Sequence, residues 1–162
     1  MTLPGWGVVS CAVRAVIQRV KAAEVSIGGE KVAVIARGLL VLLGVEETDA
    51  PEDIEWLAGK VVSLRLFPDD SGPWSRSVAE MGGEALVVSQ FTLFASTNKG
   101  SRPSWHRAAK PDVAAPICEA FTQRLRDLLP GRVQAGRFGA MMDVSLVNDG
   151  PVTLLIDTRL RE

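Results

Sequence analysis

The sequence predicts an α+β fold in which mostly antiparallel sheets form a small open barrel or sandwich that carries two helices. Two observations favour this class. Short alternating or continuous apolar segments follow one another at hairpin distance, which is typical of antiparallel strands. Only two longer segments repeat their apolar residues at helical spacing. A doubly wound parallel fold, in which strands and helices alternate regularly, would need more helices than two.

The first third of the chain is predicted to form four strands. Val13 to Val20 alternates apolar and polar residues, and the segments Ala23 to Ile27 and Lys31 to Ile35 flank the pair Gly28-Gly29. A glycine pair at this place is a hairpin signal, because glycine adopts the positive φ angles of tight turns. Gly38 to Val45 is almost continuously apolar, which predicts a central strand buried on both faces.

Two helices are predicted to cover the sheet. Asp49, followed three residues later by Glu52 and with Pro51 in the first turn, marks one helix N-terminus. The second helix is expected from about Asp112 to Leu129. Each helix has one apolar stripe, formed by Ile54, Leu57, Ala58, Val61 and Leu64 in the first and by Ala114, Ile117, Phe121, Leu125 and Leu128 in the second.

The remaining strands are predicted on both sides of the second helix. Residues 68–73 form a turn across which two strands should pair. The last third contains three apolar segments: Val133 to Phe138, Met142 to Val147 and Val152 to Asp157, the last two joined by Asn148-Asp149-Gly150-Pro151. Together these segments give seven to nine strands, most of them connected as hairpins.

The segment Leu86 to Ala95 is predicted to be a strand that carries functional side chains. Its apolar run is interrupted by Ser89, Gln90 and Thr92, which would place polar groups on both faces of a buried element. Buried hydroxyl and amide groups need hydrogen-bond partners. Two interpretations remain open at this point: bonding to neighbouring backbone at a wet strand end, or a functional site.

Composition limits the possible classes of protein. The chain has 162 residues, of which 47% are hydrophobic, and a formal net charge of −1. One domain of this size buries enough surface for a real core, and the charge excludes general electrostatic attraction to nucleic acid. The two cysteines, Cys11 and Cys118, do not indicate a disulfide framework, so an intracellular, reducing compartment fits best.

The first twelve residues differ from the rest of the chain. They contain no positive charge, and Pro4, Gly5 and Gly7 interrupt what would have to be an apolar helix. The segment is therefore neither a signal peptide nor a membrane span. We expect residues 1–12 to be a disordered extension, and residues 13–162 to form a single domain that begins abruptly at Val13.

The one basic segment runs from Ser96 to Lys110 and includes Lys99, Arg102 and the single histidine, His106. Cations interleaved with an aromatic residue suit phosphates and a stacked base. A solvated rim has the same composition, and both interpretations remain open. His106 taken alone is interpreted as part of the rim rather than as a general base.

The usual catalytic motifs are missing from the sequence. It contains no glycine-rich phosphate loop, no nucleophile elbow and no histidine and cysteine cluster with metal-ligand spacing. A hydrolase built from these residues would use backbone donors, hydroxyl groups and the substrate's own groups, which is feasible for an activated ester. Thr92 is then a candidate nucleophile or a residue that positions water, and the absence of a neighbouring base favours the second role.

Five blocks of the sequence resemble the D-aminoacyl-tRNA deacylase family. Ser89-Gln90-Phe91-Thr92-Leu93 and Asn148-Asp149-Gly150-Pro151-Val152-Thr153 resemble its two signature motifs, in the family's order and separation. Three further blocks also resemble the family: Arg14 to Val20, Lys99 to Ser104 and Phe138 to Met142. Val13 falls where the family has its initiator methionine, so we expect the first twelve residues to come from an upstream start assignment.

The resemblance implies a homodimeric, cytoplasmic enzyme without metal or other cofactor, and a single deacylase domain over residues 13–162. The enzyme would hydrolyse the ester between a D-amino acid and the terminal ribose of tRNA, as a chiral proofreader in translation. The pair matching Gly150-Pro151 is implied to be cis and to reach across the dimer interface into the partner's pocket. Rigid backbone at that position would reject an L side chain by collision, without recognising its identity.

The resemblance also implies a role for each site residue. The backbone N–H of Phe91 would face the developing oxyanion, with Ser89, Gln90 and Thr92 on the pocket floor. Arg19 would orient the carbonyl groups of Gly150 and Pro151. Further assignments are the adenosine pocket, with Phe138, Met141 and Met142, and the tRNA phosphate contacts, with Lys99 and Arg102.

A second class of function remains as an alternative. The same fold would also serve as a non-catalytic module that binds tRNA or another nucleic acid through the basic segment. Chirality separates the two hypotheses, because a binding module has no reason to distinguish D- from L-aminoacyl-tRNA.

Overall fold

The computed structural model describes residues 12–47 and 51–161 and confirms the α+β class. It contains eight strands, two α-helices and one short 3₁₀ helix. The strands are β1 Val13–Ile27, β2 Glu30–Ile35, β3 Gly38–Val45, β4 Arg65–Asp69, β5 Gly72–Ser77, β6 Glu84–Ser89, β7 Val133–Ala135 and β8 Asp143–Asp157. The helices are α1 Pro51–Ser63, the 3₁₀ helix Phe91–Phe94 and α2 Pro111–Leu128.

The main sheet is mixed, although most pairs in the fold are antiparallel as predicted. Strand β1 pairs with β2 and β3 along one edge and with β8 along the other, and β3 continues the sheet to β6 and β7. The β1 pairs with β2, β3 and β8 are antiparallel, whereas β3–β6 and β6–β7 are parallel. The parallel pairs follow from the two helices, because each helix carries the chain back across the sheet before the next parallel strand.

Two long strands replace pairs of predicted short ones. The segments predicted separately around residues 13–20 and 23–27 form the single strand β1, which has β3 and β2 side by side along one edge. The two segments predicted at the C-terminus form the single strand β8, which continues through residues 148–151. A short-range signal such as Asn-Asp-Gly-Pro therefore marked an irregularity inside a strand rather than a turn between strands.

The core lies on both faces of the sheet. On one face, alternate residues of β3 and β6 such as Leu39, Val41 and Val87 pack with residues of both helices. On the other face, their neighbours, including Leu40 and Leu86, pack with residues of β1 and β2. Burial on both faces explains why β3 and β6 are almost continuously apolar.

Candidate active site

The predicted strand Leu86 to Ala95 is wrong in its second half. Strand β6 ends at Ser89, and the chain then turns into the 3₁₀ helix Phe91–Phe94. The N–H of Gln90 still donates to the Leu43 carbonyl oxygen at 2.7 Å, which extends the pairing with β3 by one bond. The alternation of polar side chains between two strand faces therefore does not apply beyond Ser89.

A glycine on β3 makes room for the 3₁₀ helix. A Cβ atom at Gly44 would lie 2.9 Å from the Gln90 carbonyl oxygen and 3.0 Å from the Leu93 Cβ. Real Cβ atoms are not found this close to backbone, so a side chain at this position would displace the helix. Gly44 consequently sets how closely the segment of Gln90 to Leu93 approaches the sheet.

The 3₁₀ helix borders a cavity of about 580 Å³. Six predicted site residues line it: Ser89, Gln90, Phe91, Phe138, Met141 and Met142. Most of the other lining residues are apolar: Leu43, Val45, Val88, Trp105, Ala108, Ala109, Pro111, Ala114, Cys118, Gly139, Ala140 and Val144. The structure thus brings Ser89, Gln90 and Phe91 into one cavity with the three residues predicted for the adenosine pocket.

The wall of this cavity contains no charged side chain and no histidine among the residues that the structure describes. Its polar groups are concentrated at Ser89 and Gln90 and at the backbone of the 3₁₀ helix. Thr92 does not line the cavity; it is half-buried behind Gln90, whose Nε2 donates to the Thr92 Oγ1. Phe91 is 55% exposed and meets the Trp105 ring edge to face, with 5.7 Å between ring centroids.

The end of the 3₁₀ helix is fixed by a group that we call the Phe94 cluster: Arg14, Glu46, Phe94, Arg107, Asp157 and Arg159. The guanidinium groups of Arg14 and Arg107 lie 4.7 Å and 5.5 Å from the centroid of the fully buried Phe94 ring. Arg14 also donates to the Leu93 carbonyl oxygen at 3.0 Å.

Four ion pairs link the charged residues of the Phe94 cluster into a chain whose two terminal arginines, Arg14 and Arg107, both contact the Phe94 ring. Arg14 Nε lies 2.8 Å from Asp157 Oδ2, and Arg159 pairs with both Asp157, at 3.5 Å, and Glu46, at 3.2 Å. Arg107 pairs with Glu46 at 3.1 Å. Burial raises the pKa of Asp157, but hydrogen bonds from Arg14 and Arg159 outweigh it, so the pKa is lower than that of an ordinary aspartate.

A large bulge in β8 carries the predicted glycine-proline pair. Gln18 pairs with Thr153 and Val20 with Asn148, so the single β1 residue Arg19 faces four β8 residues, 149–152. Proline has no N–H to give to a sheet and is found at such irregular or edge positions. The Gly150–Pro151 peptide bond is cis.

Arg19 fills the space behind this bulge. Its Nε donates to the Asp149 carbonyl oxygen at 3.0 Å and lies 3.3 Å from the Asp149 carboxylate. Its other end donates to the Leu66 carbonyl oxygen. Arg19 is 9% exposed, and these bonds satisfy its buried charge.

We call the group that holds the bulge the Phe67 cluster: Arg19, Arg37, Phe67 and Asp149. The buried Phe67 ring is close to the guanidinium groups of Arg19, at 5.9 Å, and Arg37, at 5.5 Å. Arg37 Nε lies 3.7 Å from the Asp149 carboxylate. Arg19, Gly150 and Pro151 do not line the cavity of their own chain.

The basic segment forms an exposed loop whose base is pinned by two hydrogen bonds between Ser96 and Ser104. Lys99 and Arg102 are exposed, and neither makes an ion pair with another described residue. His106 lies beside the Ser104 hydroxyl at 3.1 Å and does not line the cavity.

Sequence reasoning missed three groups of residues at this site. Trp105 belongs to the basic segment, and sequence reasoning assigned it no role in the cavity. Along the chain it lies between two blocks that line the cavity, Ser89 to Phe91 and Phe138 to Met142, and that position was a usable signal. Arg14, Phe94 and Asp157 were missed because their contacts span most of the chain. Arg37 and Phe67 were missed for the same reason.

The described residues contain neither a candidate metal-binding cluster nor a helix able to span a membrane. Residues 12–47 and 51–161 contain no group of three or more histidine, cysteine, aspartate or glutamate side chains that could hold a metal ion. Within the same ranges, no helix has the length and hydropathy needed to cross a bilayer.

Comparisons with known proteins agree with the geometry. The family model described as D-Tyr-tRNA(Tyr) deacylase matches residues 16–157. A protein of Opitutus terrae named D-aminoacyl-tRNA deacylase is 58% identical over 149 residues, which are 92% of this chain and 99% of the relative. One of Dechloromonas aromatica with the same name is 54% identical over the same shares.

Two solved structures have the same fold. One, titled c-Myc DNA Unwinding Element Binding Protein, superposes with a TM-score of 0.83 at 41% identity and covers 88% of this chain and 97% of its own. A second, described as a probable eukaryotic D-amino acid tRNA deacylase, has a TM-score of 0.79 at 19% identity. The match covers 90% of this chain and 99% of the second structure's chain. Because the family model matches most of the chain and two relatives are 58% and 54% identical to it, this chain belongs to the D-Tyr-tRNA(Tyr) deacylase family.

Proposed function

We propose that this protein hydrolyses the ester bond of D-aminoacyl-tRNA, releases the D-amino acid and free tRNA, and rejects L-aminoacyl-tRNA sterically. The observation that carries the proposal is the apolar cavity that ends at Ser89, Gln90 and Phe91, in a chain whose relatives carry the deacylase name. The reaction would take place in the cytoplasm, where charged tRNA is used.

The cavity suits a nucleoside. Its volume of about 580 Å³ lies within the usual range for small-ligand sites, about 300–1,000 Å³. Phe138, Met141 and Met142 offer an apolar slot for the terminal adenine, and the Phe91 and Trp105 rings stand at its rim. The ester would then lie at the polar end of the cavity.

Phe91 is proposed to stabilise the oxyanion. It is the first residue of the 3₁₀ helix, so its backbone N–H has no partner within that helix. A fixed N–H aimed at the developing negative charge contributes about 3 kcal/mol to transition-state stabilisation. This donor does not depend on a titratable side chain, which fits a cavity wall without charged residues among those described.

Thr92 is proposed to position the attacking water rather than to attack the ester itself, from a place next to the cavity-lining residues Gln90 and Phe91 and not in the cavity wall itself. The Gln90 amide donates to the Thr92 hydroxyl oxygen, which leaves the hydroxyl proton available as a donor. An amide N–H cannot remove that proton, so Gln90 does not activate Thr92 as a nucleophile. Water aligned by Thr92 and by the 2′-hydroxyl of the substrate would attack the ester without a covalent enzyme intermediate.

A homodimer is proposed to complete the site. Strand β8 pairs with β1 on one edge, and its other edge has no strand partner among the described residues. Leu146, Val147 and Leu155 on this strand are 40%, 55% and 67% exposed. An unpaired edge beside exposed apolar side chains is typical of a surface that is covered in an assembly. Gly150 and Pro151 of the partner subunit would then reach the cavity and exclude L side chains.

The proposed activity is tested by measuring release of the amino acid from D- and L-aminoacyl-tRNA that carry the same side chain. We expect release from the D substrate far above the spontaneous rate and none above that rate from the L substrate. Absence of release from both substrates would leave the binding module as the better hypothesis. That alternative is not favoured, because the curated relatives are named as deacylases.

The proposed role of Thr92 is tested with Thr92→Val and the control Thr92→Ser. Because Val keeps the shape but removes the hydroxyl, we expect kcat to fall about tenfold, whereas Ser should retain most of the activity. A burst of acyl-enzyme in the wild type that Thr92→Val abolishes would instead make Thr92 the nucleophile.

A further inference from the structure

Arg37 is a cation beside the β8 bulge to which no role has yet been given. It lies between β2 and β3, and its carbonyl oxygen accepts a hydrogen bond from the Glu84 N–H at 3.2 Å. Its side chain approaches Asp149, the first residue of the bulge, at 3.7 Å. A backbone anchored in the sheet therefore supports a side chain that contacts the bulge.

The topology explains how Arg37 reaches Asp149. Val20 of β1 pairs with Gly38 on one side and with Asn148 on the other. Arg37 and Asp149 are the chain neighbours of these two partners, so they lie on opposite edges of β1, close to Val20. The arginine spans β1 and rests against the Phe67 ring, with 5.5 Å to its centroid.

The two arginines of the Phe67 cluster differ in what they hold. Arg19 is buried and divides its hydrogen bonds between Asp149 and the Leu66 carbonyl oxygen. Arg37 is 46% exposed, and its one ion partner among the described residues is Asp149. Removal of Arg37 leaves the Arg19–Asp149 pair in place, so a folded protein with a less restrained bulge is the expected result.

We propose that Arg37 is a specificity-determining positioning residue: by holding Asp149 it restrains the Gly150–Pro151 segment and sets how strictly L-aminoacyl-tRNA is rejected. The inference rests on the proposed function. A steric barrier discriminates only as well as its backbone resists displacement, because a segment that moves aside admits the wrong enantiomer. Arg37 adds to this resistance through the Asp149 carboxylate and the Phe67 face.

The test compares Arg37→Gln and Arg37→Lys with Arg126→Ala. Arg126 is a matched control, because it is 39% exposed and makes an ion pair with Glu119 on the surface of α2. We expect the ratio of kcat/KM for D over L substrate to fall about fivefold in Arg37→Gln through faster L release. Lysine should restore part of the ratio, since it keeps the charge but not the planar group.

A second readout does not depend on activity. Hydrogen exchange at the Gly150 and Val152 amides should be about fivefold faster in Arg37→Gln than in the wild type, and unchanged in Arg126→Ala. An unchanged D/L ratio, or equal losses for both substrates, would overturn the specificity role. If the wild type releases neither substrate, the proposed function fails, and unchanged exchange in Arg37→Gln would separately overturn the positioning role.

Discussion

Two phenylalanines, Phe94 and Phe67, are each held beside a pair of arginines, but the two clusters restrain their segments differently. Phe94 is the last residue of the 3₁₀ helix, and its ring contacts both ends of a chain of four ion pairs 2.8–3.5 Å long. Phe67 lies beside the β8 bulge, where two arginines share the carboxylate of Asp149 at 3.3 and 3.7 Å. The first arrangement is closed through the Phe94 ring, whereas the second is open to solvent on the side of Arg37.

The difference matches the proposed tasks of the two segments. An oxyanion donor must be held to within about 0.5 Å, because its contribution depends on hydrogen-bond geometry. A barrier to L side chains needs only to occupy the right volume and to resist being pushed aside. The Phe94 cluster supports the 3₁₀ helix, which needs accurate placement. The Phe67 cluster supports the β8 bulge, which needs only to resist displacement by a side chain.

The largest expected effects come from removing the two rings. Phe94→Ala and Phe67→Ala should each lower the free energy of unfolding by about 3–5 kcal/mol, because both rings are fully buried. Phe94→Ala should reduce kcat for the D substrate, whereas Phe67→Ala should reduce the D/L ratio. Denaturant unfolding and kinetics at a temperature where all variants are folded provide the measurement.

Phe121→Ala is the control for this pair, since Phe121 of α2 is equally buried in the core between the helices and the sheet. It should lose similar stability without a selective change in kcat or in the D/L ratio. If kcat and the D/L ratio changed alike in Phe94→Ala and Phe67→Ala, the proposed difference between the two clusters would be wrong.

The next largest effect is expected for Asp157, an acid of the Phe94 cluster. Asp157→Asn should lower the free energy of unfolding by about 1–3 kcal/mol at pH 7, because hydrogen bonds of Arg14 and Arg159 to a charged acceptor are lost. The folded pKa of Asp157 is depressed, so its contribution is present above about pH 5 and declines as pH falls below about 4.

Unfolding measured from pH 3 to pH 7 should therefore show wild type and Asp157→Asn converging at low pH. A constant gap between the two curves over this range would contradict the assignment of the lowered pKa to Asp157.

A smaller effect is expected where the 3₁₀ helix meets β3. Gly44→Ala places a Cβ against the Gln90 carbonyl oxygen and should displace Phe91, with a fall in kcat of about tenfold and an unchanged D/L ratio. Gly59→Ala is the control, because a Cβ there meets nothing within 4 Å and α1 should gain about 0.5–1 kcal/mol. A large change in the D/L ratio of Gly44→Ala would show that the two segments are coupled.

The smallest effect concerns residues outside both clusters. Replacing Lys99 and Arg102 together by alanine should weaken tRNA binding and reduce the slope of log affinity against log salt by about 1.4–1.8, because two phosphate contacts are lost. The D/L ratio should stay unchanged. Titration at several salt concentrations checks this, and an unaltered slope would remove both residues from the tRNA contact.

The sequence predicted local elements well where the signal was local. The hairpin at Gly28-Gly29 and the strand Gly38–Val45 occur as predicted, and α2 lies within a residue of its predicted bounds. The turn predicted at residues 68–73 is shorter in the structure: residues 70–71 join the paired strands β4 and β5. In each case the glycine, proline or apolar pattern lies inside the element that it specifies.

Predictions failed where a distant residue decides the local conformation. The segment after Ser89 has strand-like composition, yet it forms a 3₁₀ helix that packs against Gly44 and places Phe94 beside two arginines. Residues 148–151 have turn-like composition, yet they form a bulge in a continuous strand around Arg19. Neither partner is visible from the local sequence.

The sequence by itself determined the α+β class, the family resemblance and the residues of the two signature blocks, because apolar period, turn residues and motif order are properties of short segments. The tertiary structure decided which of those residues share a cavity and which side chains hold them. Arg14 reaches Asp157 across 143 positions of the chain, and Arg19 reaches Asp149 across 130. Contacts of that range arise from strand pairing and from the packing of buried rings, which no local pattern encodes.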